Sequence, residues 1–231
     1  MKSLLKVVAA SCLLLGTASL ALGQTMLFAN FTQDVAADKS FRFTNASGFF
    51  TEHTVTAATS IPVNFFFQQP TSTGPINTLL AANLTITSSI NGAANIGGSN
   101  AFQKLNNVTM TFLGTGALAG QNLLTIFAST GTLGGTFPGS TTGLSETDPG
   151  AGQVVNYSSD FLNFSSSNQR NYSLALNNLD PGFSNAGGFI TNFTSNATGQ
   201  FAANGFVPEP SSLSLIALGI SVFIIKRKNR I

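Results

Sequence analysis

Thr51-Glu52-His53-Thr54-Val55-Thr56 holds the only histidine of this 231-residue chain. An imidazole is the usual general base, and serines are plentiful, so a Ser/His/Asp triad can be assembled on paper. No Gly-x-Ser-x-Gly elbow supports it. The alternation around His53 is that of a strand, where an ordinary sheet residue is expected. Two carboxylate pairs come next. Asp34 and Asp38 flank Val35-Ala36-Ala37, and Glu146 and Asp148 lie in Ser145-Glu146-Thr147-Asp148-Pro149-Gly150. Paired carboxylates can hydrolyse glycosides or give oxygen ligands to calcium. Neither pair has the dense D-x-[DN]-x-[DN]-G spacing of a calcium loop, and the second reads as loop punctuation. Both are expected to be solvated loop charges. Asn95-Ile96-Gly97-Gly98-Ser99 lacks a phosphate-loop lysine and reads as a turn. No catalytic, cofactor-binding or metal-ligating residue is assigned.

The elements that would have to position such groups are set by an unusual composition. Charged residues make up 8% of the chain, against about 25% in an average soluble protein. Phe supplies 21 residues, Tyr 2 and Trp none. The formal net charge of +2 comes from the two ends: residues 24–206 carry four basic residues (Lys39, Arg42, Lys104, Arg170) against seven acidic, a net −3. Nucleic-acid binding, which needs a clustered basic face, is therefore not expected.

The N-terminus reads as a secretory signal over residues 1–23. Lys2 and Lys6 make a basic start, residues 7–15 are apolar, and Ala21-Leu22-Gly23 puts small residues at −3 and −1 of a cut between Gly23 and Gln24. Cleavage after Ala21 is the alternative. The single cysteine, Cys12, lies inside the apolar stretch and is followed by Leu13-Leu14-Leu15, which argues against a lipid-modified start. After cleavage no disulfide, zinc cluster or thiol nucleophile is possible.

Residues 24–206 form one β-rich unit in this reading. Short alternating runs at residues 40–44, 84–87 and 108–112 place every second residue on a core face. Residues 61–68, 123–127, 153–157, 172–176 and 188–194 continue the pattern, with Gly, Pro, Asn and Asp between them. No run has a capped 3.6-residue apolar period. The fold class expected is all-β, a β-sandwich or jelly-roll-like domain. Residues 130–152, rich in Gly, Thr, Ser and Pro, read as a long loop. Residues 192–205 read as a last strand followed by a linker. Nine N-x-[ST] triplets, at Asn30, Asn45, Asn83, Asn107, Asn156, Asn163, Asn171, Asn192 and Asn196, follow from the abundance of these residues.

Residues 207–231 close the chain with Val207-Pro208-Glu209-Pro210, an apolar run at 213–225, and Lys226, Arg227, Lys228 and Arg230. The two prolines make the first piece stiff and extended. Ser211 or Ser212 can cap a following helix. Thirteen residues at about 1.5 Å each reach roughly 20 Å, short of a hydrocarbon core of about 30 Å. The basic cluster is a stop-transfer signal on the cytoplasmic side.

This three-part tail resembles the PEP-CTERM sorting signal of Gram-negative and related bacteria. The resemblance rests on Pro208-Glu209-Pro210, the short hydrophobic helix and the terminal basic cluster, in that order at the extreme C-terminus. It implies processing by an exosortase and an association with exopolysaccharide and biofilm-matrix systems. A plain C-terminal anchor is the alternative. The function expected is that of a non-enzymatic, exported structural protein of the cell envelope or extracellular matrix. A secreted carbohydrate-binding module is the first rival, disfavoured by the lack of Trp and the two Tyr, and a hydrolase is the second.

Overall fold

The computed structural model describes residues 25–35, 39–45, 49–51, 60–69, 71, 74–148 and 153–208. The all-β expectation is met. In chain order the strands are β1 (Met26–Gln33), β2 (Phe41–Thr44), β3 (Phe49–Thr51), β4 (Ile61–Phe67), β5 (Leu79–Ile90), β6 (Asn95–Gly97), β7 (Asn100–Gly114) and β8 (Asn122–Thr136). They continue as β9 (Thr141–Asp148), β10 (Val155–Ser158), β11 (Leu162–Asn163), β12 (Arg170–Asp180), β13 (Asn185–Ala186), β14 (Phe189–Ile190), β15 (Phe193–Ala203) and β16 (Val207–Pro208). Among the described residues the only helical turn is a 3-10 turn at Gly116–Leu118, and no helix is long and apolar enough to cross a membrane.

The pairing closes on itself. β1 pairs β4, β4 pairs β5, β5 pairs β7, β7 pairs β8, β8 pairs β9, β9 pairs β12, β12 pairs β15, and β15 returns to β1, every pair antiparallel. The β2–β3 ribbon forms a second, shorter bridge between β15 and β5. A closed ladder removes the open edges that invite edge-to-edge association. The described interior is lined with phenylalanine. Phe112 of β7 meets Phe31 of β1 at 5.1 Å, Phe65 of β4 at 5.1 Å and Phe201 of β15 at 5.4 Å between ring centroids. Inward positions thus fill with Phe while outward positions carry Thr, Asn and Ser, the consequence of a two-residue period.

Two features explain where that period is broken. Leu105-Asn106-Asn107-Val108 and Leu176-Asn177-Asn178-Leu179 share a burial pattern, buried at both ends and solvent-facing between. The second Asn of each has positive φ, 51° at Asn107 and 55° at Asn178, and each sits where the register with a neighbouring strand shifts by one. Asn tolerates the left-handed conformation, so the bulge absorbs one residue and both flanking apolar residues still point inward.

The loop expected over residues 130–152 is corrected. Residues 130–136 continue β8, and β9 fills residues 141–148. The glycines there are strand residues with neighbours lying over them. A Cβ at Gly131 would stand 2.7 Å from the Tyr172 hydroxyl, and one at Gly134 2.5 Å from the Phe102 ring. Glycine in a strand marks close approach as readily as a turn. The last strand expected within residues 192–205 is present as Phe193–Ala203, between β12 and β1, and it takes up most of that stretch.

Candidate functional site

Gly23, Gln24, Glu52, His53, Asp38, Glu209, Pro210, Lys226, Arg227, Lys228 and Arg230 lie outside the described residues. Pro208 is described. It ends β15's continuation as half of β16, opposite Leu162, with Val207 opposite Asn163. Gly205 makes the reversal that leads there: its φ is 60° and a Cβ would meet the Ser166 carbonyl oxygen at 2.6 Å. Phe206 then packs on Phe28 and Phe164. Asn204 fixes the partner loop, its Oδ1 accepting from the backbone N–H groups of Asn168 and Gln169 at 3.0 and 2.9 Å. The chain therefore reaches Pro208 extended and held against the body.

Glu146 and Asp148 are not loop charges. They occupy β9, two residues apart, on the same inward side as Leu144. The reason they can face inward is a gap in the ladder. β9 pairs β8 only at Thr132–Gly134, and β10 pairs β8 further along, from Ala128 to Thr125. Into the seam between β9 and β10 point Glu146 and Asp148, Tyr157 from β10, and Arg170 and Tyr172 from β12. These include both tyrosines of the chain.

Arg170 closes the seam. Its Nη1 donates to the Val155 carbonyl at 3.0 Å, and its Nη2 to the carbonyls of Ser167 at 2.6 Å and Phe164 at 3.3 Å. Asp148 stands 3.8 Å from the same guanidinium. Thr130 donates its hydroxyl to Glu146 at 3.0 Å, and the Tyr157 hydroxyl donates to the Asn171 carbonyl. Burial pushes both phenols well above their ordinary range. The Glu146 charge adds to this at Tyr172, while Arg170 opposes it at Tyr157. The cluster thus spends its polar groups joining strands, with a charged fork serving several carbonyls at once. A surface depression of about 380 Å³, lined by Tyr157, Asn163, Phe164 and Arg170 among others, opens beside it and next to β11.

The remaining charges are peripheral. Asp160 accepts from the Asn122 backbone N–H at 2.7 Å, and Lys39 pairs with Asp180 at 3.1 Å on the surface, where such pairs contribute little. Among the described residues no group of three or more His, Cys, Asp or Glu is placed to hold a metal ion.

The outer surface is the other extended feature. One row of facing residues runs Phe66, Asn30, Gln200, Ser173, Ser145, Thr132 and Lys104 across seven strands. Another, further along β7 and β8, runs Thr85, Thr111, Thr125 and Ser158 across β5, β7, β8 and β10. Neighbouring strands lie about 4.8 Å apart, so the second row, and the first between Phe66 at one end and Lys104 at the other, is a ruler of neutral hydrogen-bonding groups. The sequence carried this signal as its N-x-[ST] triplets: in a strand, residues i and i+2 share one face, so Asn30/Thr32, Asn83/Thr85 and Asn196/Thr198 are simply outward neighbours. No known protein family, curated protein or solved structure matches this chain.

Proposed function

We propose that the chain is an exported, non-enzymatic structural protein of the cell envelope or extracellular matrix. In this reading its sandwich-like β body contacts exopolysaccharide, and its tail is cut by an exosortase. The observation that carries the reading is the set of in-register rows of Asn, Thr, Ser and Gln on the outer surface. Such rows suit a neutral, hydroxyl-rich polymer better than a small substrate, which calls for a concave apolar site. The extended exit of the chain at Val207–Pro208 is compatible with a protease reading the residues that follow as a strand-like peptide.

Two measurements test it. Intact-mass analysis of the protein from its native host is expected to find the chain without residues 213–231, and replacing Pro208, Glu209 and Pro210 with Ala to leave an uncut, membrane-retained form. Fractionation is expected to place the processed protein with the polysaccharide matrix. A native chain that keeps its tail, or normal processing of the triple variant, overturns the sorting part. A processed chain found free in the medium and unbound to matrix overturns the rest.

A further inference from the structure

Most of the 21 phenylalanines are interior, yet three described ones are exposed: Phe102 at 48%, Phe127 at 40% and Phe189 at 37%. Phe102 and Phe127 share one wall. Phe102 is outward on β7 and its ring rests on Gly134 of β8, where only the absence of a side chain admits it. Phe127 is outward on β8, flanked in register by Thr109 of β7 on one side and Asn156 of β10 on the other. Since Phe127 lies opposite Thr109, the two rings are seven positions apart along β7, roughly 23 Å at about 3.3 Å per residue.

We propose that this wall is a binding platform for a linear neutral glycan running along β7 and β8, with the two rings stacking on sugar faces near its ends. The proposal rests on the polysaccharide reading above and gives it a site. Three observations converge. The first is charge. β5, β6, β7, β8 and β10 contain no carboxylate, and Lys104 is their single basic residue. Its ammonium already donates to the Thr132 hydroxyl at 2.7 Å. Nucleic acids and anionic polymers need a cationic track, and none is present. The second is free hydrogen-bonding capacity. Thr85, Thr87, Thr109 and Thr111 form a square of facing hydroxyls beside Phe127, and none of the four hydroxyls bonds another described residue. The third is the spacing of the rings. A protein partner favours one contiguous apolar centre, whereas two rings set apart, with Lys104, Thr132 and Asn106 between them, match a polymer whose units each present a C–H face and a rim of hydroxyls. Both rings are exposed enough, at 48% and 40%, for a sugar to reach them. The surface of β9, β12 and β15, with Thr198, Ser173, Ala175 and Ser145 outward, has hydrogen-bonding groups and no comparable ring at its centre.

The test uses the full-length chain in mild detergent, titrated with cellohexaose, laminarihexaose and mannohexaose as neutral probes and with an alginate oligomer as an anionic one. At least one neutral hexasaccharide is expected to bind, and alginate is not. Phe102→Ala and Phe127→Ala are each expected to weaken binding roughly tenfold, and the double variant to abolish it. Ala175→Ser on β12, outside the rows described above, is expected to leave it unchanged. Both phenylalanines are surface residues, so an unaltered thermal midpoint is expected to accompany the loss. Failure of every neutral probe, alginate binding in their place, or binding indifferent to both substitutions overturns the proposal. Matrix retention in the host separates it from the broader reading. If the double variant stays in the matrix and Ser173→Asp is released, the matrix role stands and this site is wrong. If the hexasaccharide binds at the two rings while the protein is never found in matrix, the site stands and the cellular role is wrong.

Discussion

β8 is joined to its two neighbours in opposite ways. Toward β7 it pairs along its whole length, from Thr136 opposite Asn100 to Asn122 opposite Leu113, over an interior of Phe, Leu, Ile and Met. Toward β9 it pairs only at Thr132–Gly134, and the rest of that edge is closed by β10 and by side chains. The first joint is made by the backbone and the hydrophobic core. The second is made by Arg170, Glu146, Asp148, Tyr157 and Tyr172. A ring of strands can thus be shut without a continuous ladder when polar side chains bond across the gap, although the Arg170 Nε and the Tyr172 hydroxyl have no hydrogen-bond partner among the described residues. The body's ionisable groups are few, and five of them stand at this gap.

The largest effect is expected where the continuous joint meets the rest of the core. Phe112→Ala removes a ring that touches Phe31, Phe65 and Phe201, and is expected to cost about 3–5 kcal/mol. Urea unfolding followed by far-ultraviolet circular dichroism measures it, and a loss under about 1 kcal/mol would mean that the two walls do not depend on each other there.

At the seam, Arg170→Met is expected to cost about 2–4 kcal/mol, because three carbonyls and Asp148 lose their shared partner. Amide exchange is expected to quicken in β9 and β10 before it does in β7. Arg170→Lys recovers only part of the loss, since an ammonium cannot reproduce the planar fork. Equal exchange rates in the two regions would erase the contrast between the joints.

The seam also sets the alkaline limit. Both phenols titrate higher in the folded chain than in the unfolded one, chiefly through burial. More than about one unit below pH 10, the ordinary phenol value, neither state ionises appreciably and stability is unaffected. Above it the unfolded chain loses phenolic protons that the folded chain keeps, so stability falls by about 1.4 kcal/mol per pH unit for each phenol. With 2 Tyr and no Trp, phenolate absorbance reports on this seam alone. It is expected to rise together with the loss of circular dichroism, and Tyr157→Phe with Tyr172→Phe to push unfolding to higher pH. Phenolate appearing while the β signal is intact would mean that the seam opens to solvent in the native state.

The smallest effect belongs to the bulges. Asn107→Gly is expected to be nearly neutral and Asn107→Val to cost about 1–2 kcal/mol, because a β-branched residue resists positive φ. Thermal melts of the pair measure the difference, and equal midpoints would show that the bulge relaxes.

Much of the fold was legible along the chain. The alternation in residues 40–44, 61–68, 84–87 and 108–112 marks real strands because a half-buried strand must alternate. The Leu-Asn-Asn-Val and Leu-Asn-Asn-Leu steps become readable as bulges only once both of their ends are known to be buried, since two apolar residues three apart in a strand fit one face only if an extra residue is absorbed between them. The misreading at residues 130–152 came from glycine. Gly131 and Gly134 serve rings and hydroxyls that arrive from Tyr172 and Phe102, residues 41 and 32 positions away, and composition cannot distinguish a glycine that turns from one that is overlain. The same holds for Glu146 and Asp148. Local sequence gives their acidity and their two-residue spacing, while their inward direction depends on Arg170 of β12 and on where β9 leaves β8. By itself the sequence determined that this chain would be a β protein with a phenylalanine core and a neutral polar surface, because a two-residue period and side-chain hydrophobicity are local properties. Only the tertiary structure decided that the strands close into a ring, that its gap is sealed by charge, and that Phe102 and Phe127 share one outer wall, because each of these depends on the register between strands far apart in the chain.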